Sequence, residues 1–132
     1  MAKSRVQPPR INTRRRKGRC YELAGRGQQL DPTWTLIHGY IAMLRNRNQS
    51  LLIAHAWLQK RGRVYDPVDD IVLRASEYTQ QYGAEVVRRY PFARASRFVR
   101  KSEHWGPWHD DIPILIRGPV TDANATQFQS SL

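Results

Sequence analysis

The chain has 132 residues, with 22 Lys and Arg against 11 Asp and Glu, for a formal net charge of +11. At about 100–200 residues per domain this is one domain, and a single cysteine, Cys20, excludes an internal disulfide framework and any multi-thiolate metal site. No apolar run approaches the ~18 residues of a membrane-spanning helix, and the basic N-terminus lacks the apolar stretch of an export signal.

Residues 1–19 hold eight bases (Lys3, Arg5, Arg10, Arg14, Arg15, Arg16, Lys17 and Arg19) and no acid, and subtracting that +8 from +11 leaves +3 for residues 20–132. With Pro8 and Pro9 and few large apolar residues, residues 1–17 read as a disordered basic arm. Residues 18–120 read as the folded domain and 121–132 as a loose polar tail. Within the arm, Arg14, Arg15, Arg16, Lys17 and Arg19 are candidates for binding a polyanion, possible nucleic acid included, through counterion release. Read plainly, the same charges are a solvated arm that aids solubility.

Past the arm, Cys20, Leu23, Ala24, Gly27 and Leu30 share one face at helical spacing, so Cys20–Leu30 is a predicted helix that Asp31-Pro32 stops. Gly25 and Gly27 cost about 1 kcal/mol each in a helix interior, so this helix needs tertiary packing to persist. Strands are expected at 34–43, 51–59 and 64–66. The last two are joined through the tight turn at 60–63 into an antiparallel hairpin that Pro67 ends. Residues 69–78 support a short helix or an extended passage equally. A strand is expected at 84–90, and 92–102 reads as a helix with Arg94, Arg97, Arg100 and Lys101 on its polar face. Residues 104–109 form a turn bearing Trp105 and Trp108, and Pro113 confines an expected strand at 112–116 to a sheet edge. Helix, then antiparallel strands, then helix is an α+β order.

Three residues form a chemical constellation. Cys20 opens the first helix, where free backbone N–H groups and the positive end of the helix dipole favour a thiolate. His55 lies inside the second strand and can take a thiol proton and return it to a leaving amine. Asp66 ends the third strand, where a carboxylate on the other ring nitrogen would fix the tautomer and orientation of the imidazole. The hairpin turn brings His55 and Asp66 near each other through loop length alone.

With their neighbours these residues resemble the transglutaminase-like branch of the papain-like cysteine enzymes. Gly18-Arg19-Cys20 ahead of an amphipathic helix resembles the nucleophile segment, and Leu36-Ile37-His38-Gly39-Tyr40 the first core strand. His55-Ala56-Trp57 is similar to the histidine motif, and Val64-Tyr65-Asp66-Pro67 to the strand ending in Asp-Pro. The resemblance spans roughly residues 18–68. It implies a minimal core in which the nucleophile helix packs on a small antiparallel sheet, and a Cys20-His55-Asp66 triad acting on a protein or peptide amide. Water as acceptor makes a peptidase, amidase or deamidase; an amine makes a transglutaminase. No cofactor is required. Trp34, Trp57, Trp105 and Trp108 are candidate walls of the substrate cleft. The Cys20 N–H, joined by Trp34 or Gln28, would hold the oxyanion.

Plainer roles exist for each residue: a buried thiol, a core histidine, a turn aspartate, tryptophans that only fill the core. His38 is a weaker candidate base because no Asp follows it on a paired strand. Glu22 is a second acid near the nucleophile or a helix-stabilising charge. Asp69-Asp70 is too little for a calcium site. His104 and His109 with Asp110 and Asp111 lack a shared helical face, so no metal site is expected. The alternative from another class is a basic nucleic-acid-associated or partner-binding protein with a vestigial triad. The missing export signal suits a cytoplasmic protein, of bacterial or phage type.

Overall fold

Apolar residues alternate with a period of two along the long central strands, and that alternation builds two cores on opposite faces of one sheet. The structure is a computed structural model and describes residues 6–46, 49–108 and 115–117. Helix α1 (Cys20–Leu30) is followed by β1 (Thr35–Asn46), β2 (Gln49–Lys60), β3 (Arg63–Asp66) and β4 (Ile71–Arg74). Helix α2 (Ala75–Tyr82), β5 (Glu85–Tyr90), α3 (Phe92–Ser102) and β6 (Leu115–Arg117) complete the order. The sheet is antiparallel throughout, ordered β4-β3-β2-β1-β5, with β6 pairing the opening residues of β2.

Leu36, Ala56, Leu58 and Tyr65 point to one face, where Leu23 and Ala24 of α1 and Ala95 of α3 cover them. Ile37, Trp57 and Val64 point to the other, where Tyr78 of α2 and Ala84 close a second core. Full burial of a side chain such as Leu23 or Leu58 contributes about 1.5–3 kcal/mol, and both are 0 % exposed. This packing offsets the low helical propensity of α1. Gly25 and Gly27 serve it directly: a Cβ on Gly25 would stand 2.4 Å from the Trp105 ring, and one on Gly27 2.9 Å from Leu58.

The stretch 69–78, which the sequence left open between helix and extended chain, divides into the four-residue strand β4 and the start of the two-turn helix α2. Asp70 takes a left-handed conformation (φ 55°) that turns the chain back into β4, and the Arg74 N–H donates to Glu77 at 3.1 Å to start α2. Both central strands run longer than expected. The strand expected at 112–116 corresponds to β6 at its C-terminal end, while 109–114 and the tail 121–132 lie outside the described residues. No described helix is long and apolar enough to cross a membrane.

The expectation of a disordered arm is corrected from residue 6 onward. Pro9 is buried and Ile11 is 5 % exposed within the α1 core. The Arg16 guanidinium donates to the carbonyls of Pro67 at 2.7 Å and Ile11 at 3.0 Å. Arg19 donates to Glu22 at 2.7 and 3.1 Å and to the Thr13 hydroxyl at 2.7 Å. Arg16 and Arg19, read from composition as polyanion contacts, are therefore engaged within the chain itself. Arg14, Arg15 and Lys17 are exposed.

Candidate active site

The site forms where the lead-in to α1 crosses the end of β3. Arg16 ties residues 11–16 to the Pro67 carbonyl, which leaves Cys20 to begin α1 beside the point where Asp66 quits the sheet. In the β2–β3 ladder Leu58 pairs with Tyr65. Continued by one pair, the register sets Asp66 across from Trp57, so Asp66 and His55 are diagonal neighbours on one face.

His55 Nε2 and Asp66 Oδ2 stand 2.8 Å apart, both buried. Cys20 faces the same imidazole within hydrogen-bonding reach. With Nε2 committed to Asp66, Nδ1 is the nitrogen left for the thiol. Asp66 is held from two further directions: Tyr78 donates its hydroxyl to Oδ2 at 2.6 Å, and the Val68 N–H donates to Oδ1 at 2.9 Å. Trp57 lies beside His55 with its ring tilted 31°, and its tip fills the space opened by Gly39, whose Cβ would stand 2.9 Å from it. The same Cβ would stand 2.0 Å from the Glu85 carbonyl oxygen, so a residue larger than glycine opposite His55 would push β5 away from β1 as well as crowd Trp57.

Electrostatics favour an ion pair. Burial alone disfavours the imidazolium, but the hydrogen bond and negative charge of Asp66, joined by the contact with Cys20, outweigh it and push His55 up to about 9. Burial likewise favours a neutral Asp66, yet His55, Tyr78 and the Val68 N–H hold its carboxyl below the usual range. Arg19, the N-cap of α1, makes no side-chain cap. As the first helical residue, Cys20 has a backbone N–H with no acceptor within the helix.

The other expected participants fall elsewhere. Gln28 spends its amide on the carbonyls of Trp34 at 3.0 Å and Tyr90 at 2.9 Å, and Trp34 donates its indole N–H to Asp31 at 3.1 Å. Neither is an oxyanion donor. Trp34 and Trp57 are each 1 % exposed, so they belong to the cores rather than to a cleft wall. Trp105 lies over Gly25, more than one turn of α1 from Cys20, and Trp108 stacks on Phe98 at 5.2 Å. Trp108 also packs on His38, which in turn meets Tyr21 in the first turn of α1. His38 points to the face opposite His55, because Gly39 is the residue paired with His55, and it packs between Tyr21, Tyr90 and Trp108. Glu22 is tied to Arg19 and Arg26, and the Arg19 hydrogen bond above all keeps its carboxyl below the usual range, unsuited to donating a proton. His109, Asp110 and Asp111 lie outside the described residues, and among the described residues no three His, Cys, Asp or Glu side chains gather as metal ligands.

Tyr78 is the site residue that sequence reasoning missed. It lies twelve positions beyond Asp66 on a separate helix, and nothing local marks it. Comparison of the chain with known protein families, curated proteins and solved structures found no match in any of the three.

Proposed function

We propose that the chain is a cysteine-nucleophile acyl-transfer enzyme of minimal transglutaminase-like architecture, acting on a protein or peptide amide in the cytoplasm. The observation that carries this reading is one imidazole, His55, set between the thiol of Cys20 and the carboxylate of Asp66. The likeness of residues 18–68 to that branch of cysteine enzymes, which extends to the neighbours of these three residues, adds support.

In the proposed reaction the Cys20 sulfur attacks the amide carbon, and the thiol proton passes to His55 Nδ1. Asp66 holds the imidazolium by its other nitrogen while negative charge collects on the carbonyl oxygen. The Cys20 N–H, free of a helical acceptor, is the donor suited to that oxyanion. Collapse breaks the C–N bond, His55 returns the proton to the departing amine, and a thioester remains on Cys20. Water or an amine then attacks the thioester, its proton going to His55, and frees the thiol.

The test uses a pool of glutamine-containing peptides, read by mass spectrometry with and without a primary amine. Wild-type protein is expected to cleave, deamidate or aminate peptides, with a Cys20 thioester trapped by acid quench. Cys20→Ala abolishes both signals. Turnover that survives Cys20→Ala overturns the proposal.

A further inference from the structure

Away from Cys20, the turn between β2 and β3 breaks two local rules at once. Lys60 pairs with Arg63 across a two-residue turn, Arg61-Gly62, with φ of 49° and 75°. Both central positions are left-handed, a geometry that favours Asn, Asp or Gly at the first, where this chain carries arginine. One strand over, Arg63 stands directly opposite Arg74, and like charges at opposed positions repel. Strain and repulsion gathered in one place point from the backbone outlier toward function.

Two clefts flank this turn and share Arg61 as their common wall. The first, about 450 Å³, is lined by Thr33, Thr35, Gln59, Lys60, Arg61 and Arg89. The second, about 420 Å³, is lined chiefly by Arg61, Gly62, Arg63, Arg74 and Ser76. Cys20, His55 and Asp66 line neither. Asp31, which stands 3.9 Å from Lys60 beside the first cleft, already accepts from Thr33 and Trp34. Among the described residues, Arg61, Arg63, Arg74 and Arg89 enter no ion pair.

We propose that the β2–β3 turn and its two clefts form a binding site for the phosphate backbone of a nucleic acid. Four guanidiniums with fork geometry suit phosphate oxygens, and Arg61, the wall common to both clefts, joins them around the tip of the turn. An anion between Arg63 and Arg74 relieves their repulsion. No aromatic side chain lines either cleft, so bases are not stacked there and recognition is independent of sequence. The site is separate from the cysteine chemistry and stands whether or not that reading holds.

The test is fluorescence anisotropy of a labelled oligothymidylate of about 20 nucleotides with the full chain, between about 50 and 200 mM salt. Arg61→Asn with Arg89→Gln is expected to weaken binding about tenfold and to flatten the log–log salt slope by about 1.4, two phosphates at about 0.7 each. Asn suits the left-handed position, so a melting temperature equal to or above wild type shows the double variant folded. Replacing Arg14, Arg15 and Lys17 by Gln is expected to leave the turn-dependent part intact. No binding by wild type, or an unchanged Kd and slope in the turn variant, overturns the proposal. So does displacement of the oligonucleotide by polyglutamate at equal charge concentration, which would assign the clefts to an acidic peptide.

Discussion

Oδ2 of Asp66 accepts two donors at once, the Tyr78 hydroxyl at 2.6 Å and His55 Nε2 at 2.8 Å. Tyr78 cannot swing away. It is 1 % exposed, packed against Trp57 at 5.2 Å and stacked on Tyr82 at 4.5 Å. Tyr82 in turn donates to Asp69 at 2.5 Å. Burial first, and then the Asp66 charge, push the Tyr78 hydroxyl far above the ordinary tyrosine range, so it stays protonated and donating at every working pH. Helix α2 thus fixes the carboxylate that orients His55.

Tyr78→Phe keeps the ring and removes the donor. Asp66 then gives more of its charge to His55, so the imidazole titration followed by NMR is expected to move upward. Turnover of the proposed reaction is expected to fall about tenfold, or about 1.4 kcal/mol, as the carboxylate loses one of its anchors. A purely structural role for Tyr78 would lower the melting temperature and leave the His55 titration where it was.

The pH dependence of stability follows from the same pair. His55 rises from 6.5 to about 9 on folding, so its contribution is complete below pH 6.5 and is lost as pH rises through about 9. Asp66 is shifted the opposite way, and its contribution is lost as pH falls through its depressed folded value. The melting temperature is therefore expected to decline between pH 7 and pH 10. His55→Gln should remove most of that decline, because the neutral amide has no proton to lose. An equally steep decline in the variant would place the titrating group elsewhere, with Tyr65, raised to about 12 mainly by burial, too high to account for it.

Arg16 should matter more than its charged neighbours. Its guanidinium bridges the Ile11 and Pro67 carbonyls and stands 3.9 Å from the exposed Asp70. Arg16→Met keeps the stem and loses both hydrogen bonds, each of a charge-assisted kind worth about 1.5–3 kcal/mol. Chemical denaturation is expected to show a loss of at least about 1.5 kcal/mol, with turnover reduced because the segment delivering Cys20 is untied from β3. Arg14→Gln and Arg15→Gln alter exposed side chains and should stay within about 0.5 kcal/mol of wild type.

The chain's legibility differs by the range of the interaction. The proximity of His55 and Asp66 was readable because a two-residue turn sets the register locally. Helix α1 was readable from the spacing of Leu23, Ala24 and Gly27. The order of residues 6–17 was not, because composition counts Arg16 as a charge and is blind to two carbonyls, one of them 51 residues away. Trp34 and Trp57 carry no signal separating a cleft wall from a core. Residues 69–78 held too few positions of either period to decide, since β4 has only four residues and alternates half-buried and exposed positions with none in a core. Tyr78 depends on how α2 lies over the sheet, a relation set by packing against Trp57 and Ala84 rather than by any motif.

The most direct reading of the site comes from Cys20 itself. It is the only cysteine in the chain, so any alkylated thiol is this one, and it is partly exposed in the folded state. A neighbouring imidazole that accepts the thiol proton supplies the reactive thiolate, so native protein is expected to react with iodoacetamide at pH 6–7 faster than the unfolded chain. His55→Ala removes the acceptor and should slow native alkylation about tenfold, which corresponds to about 1.4 kcal/mol at the transition state. Asp66→Asn keeps the shape of the carboxylate but loses its charge, so the imidazolium is less favoured and the slowing should be smaller. The ordering, wild type fastest, then Asp66→Asn, then His55→Ala, is what a proton relay requires. A thiol that merely fills space beside the α1 core would react more slowly in native protein than in unfolded chain. It would also show the same rate in all three proteins once each was verified as folded.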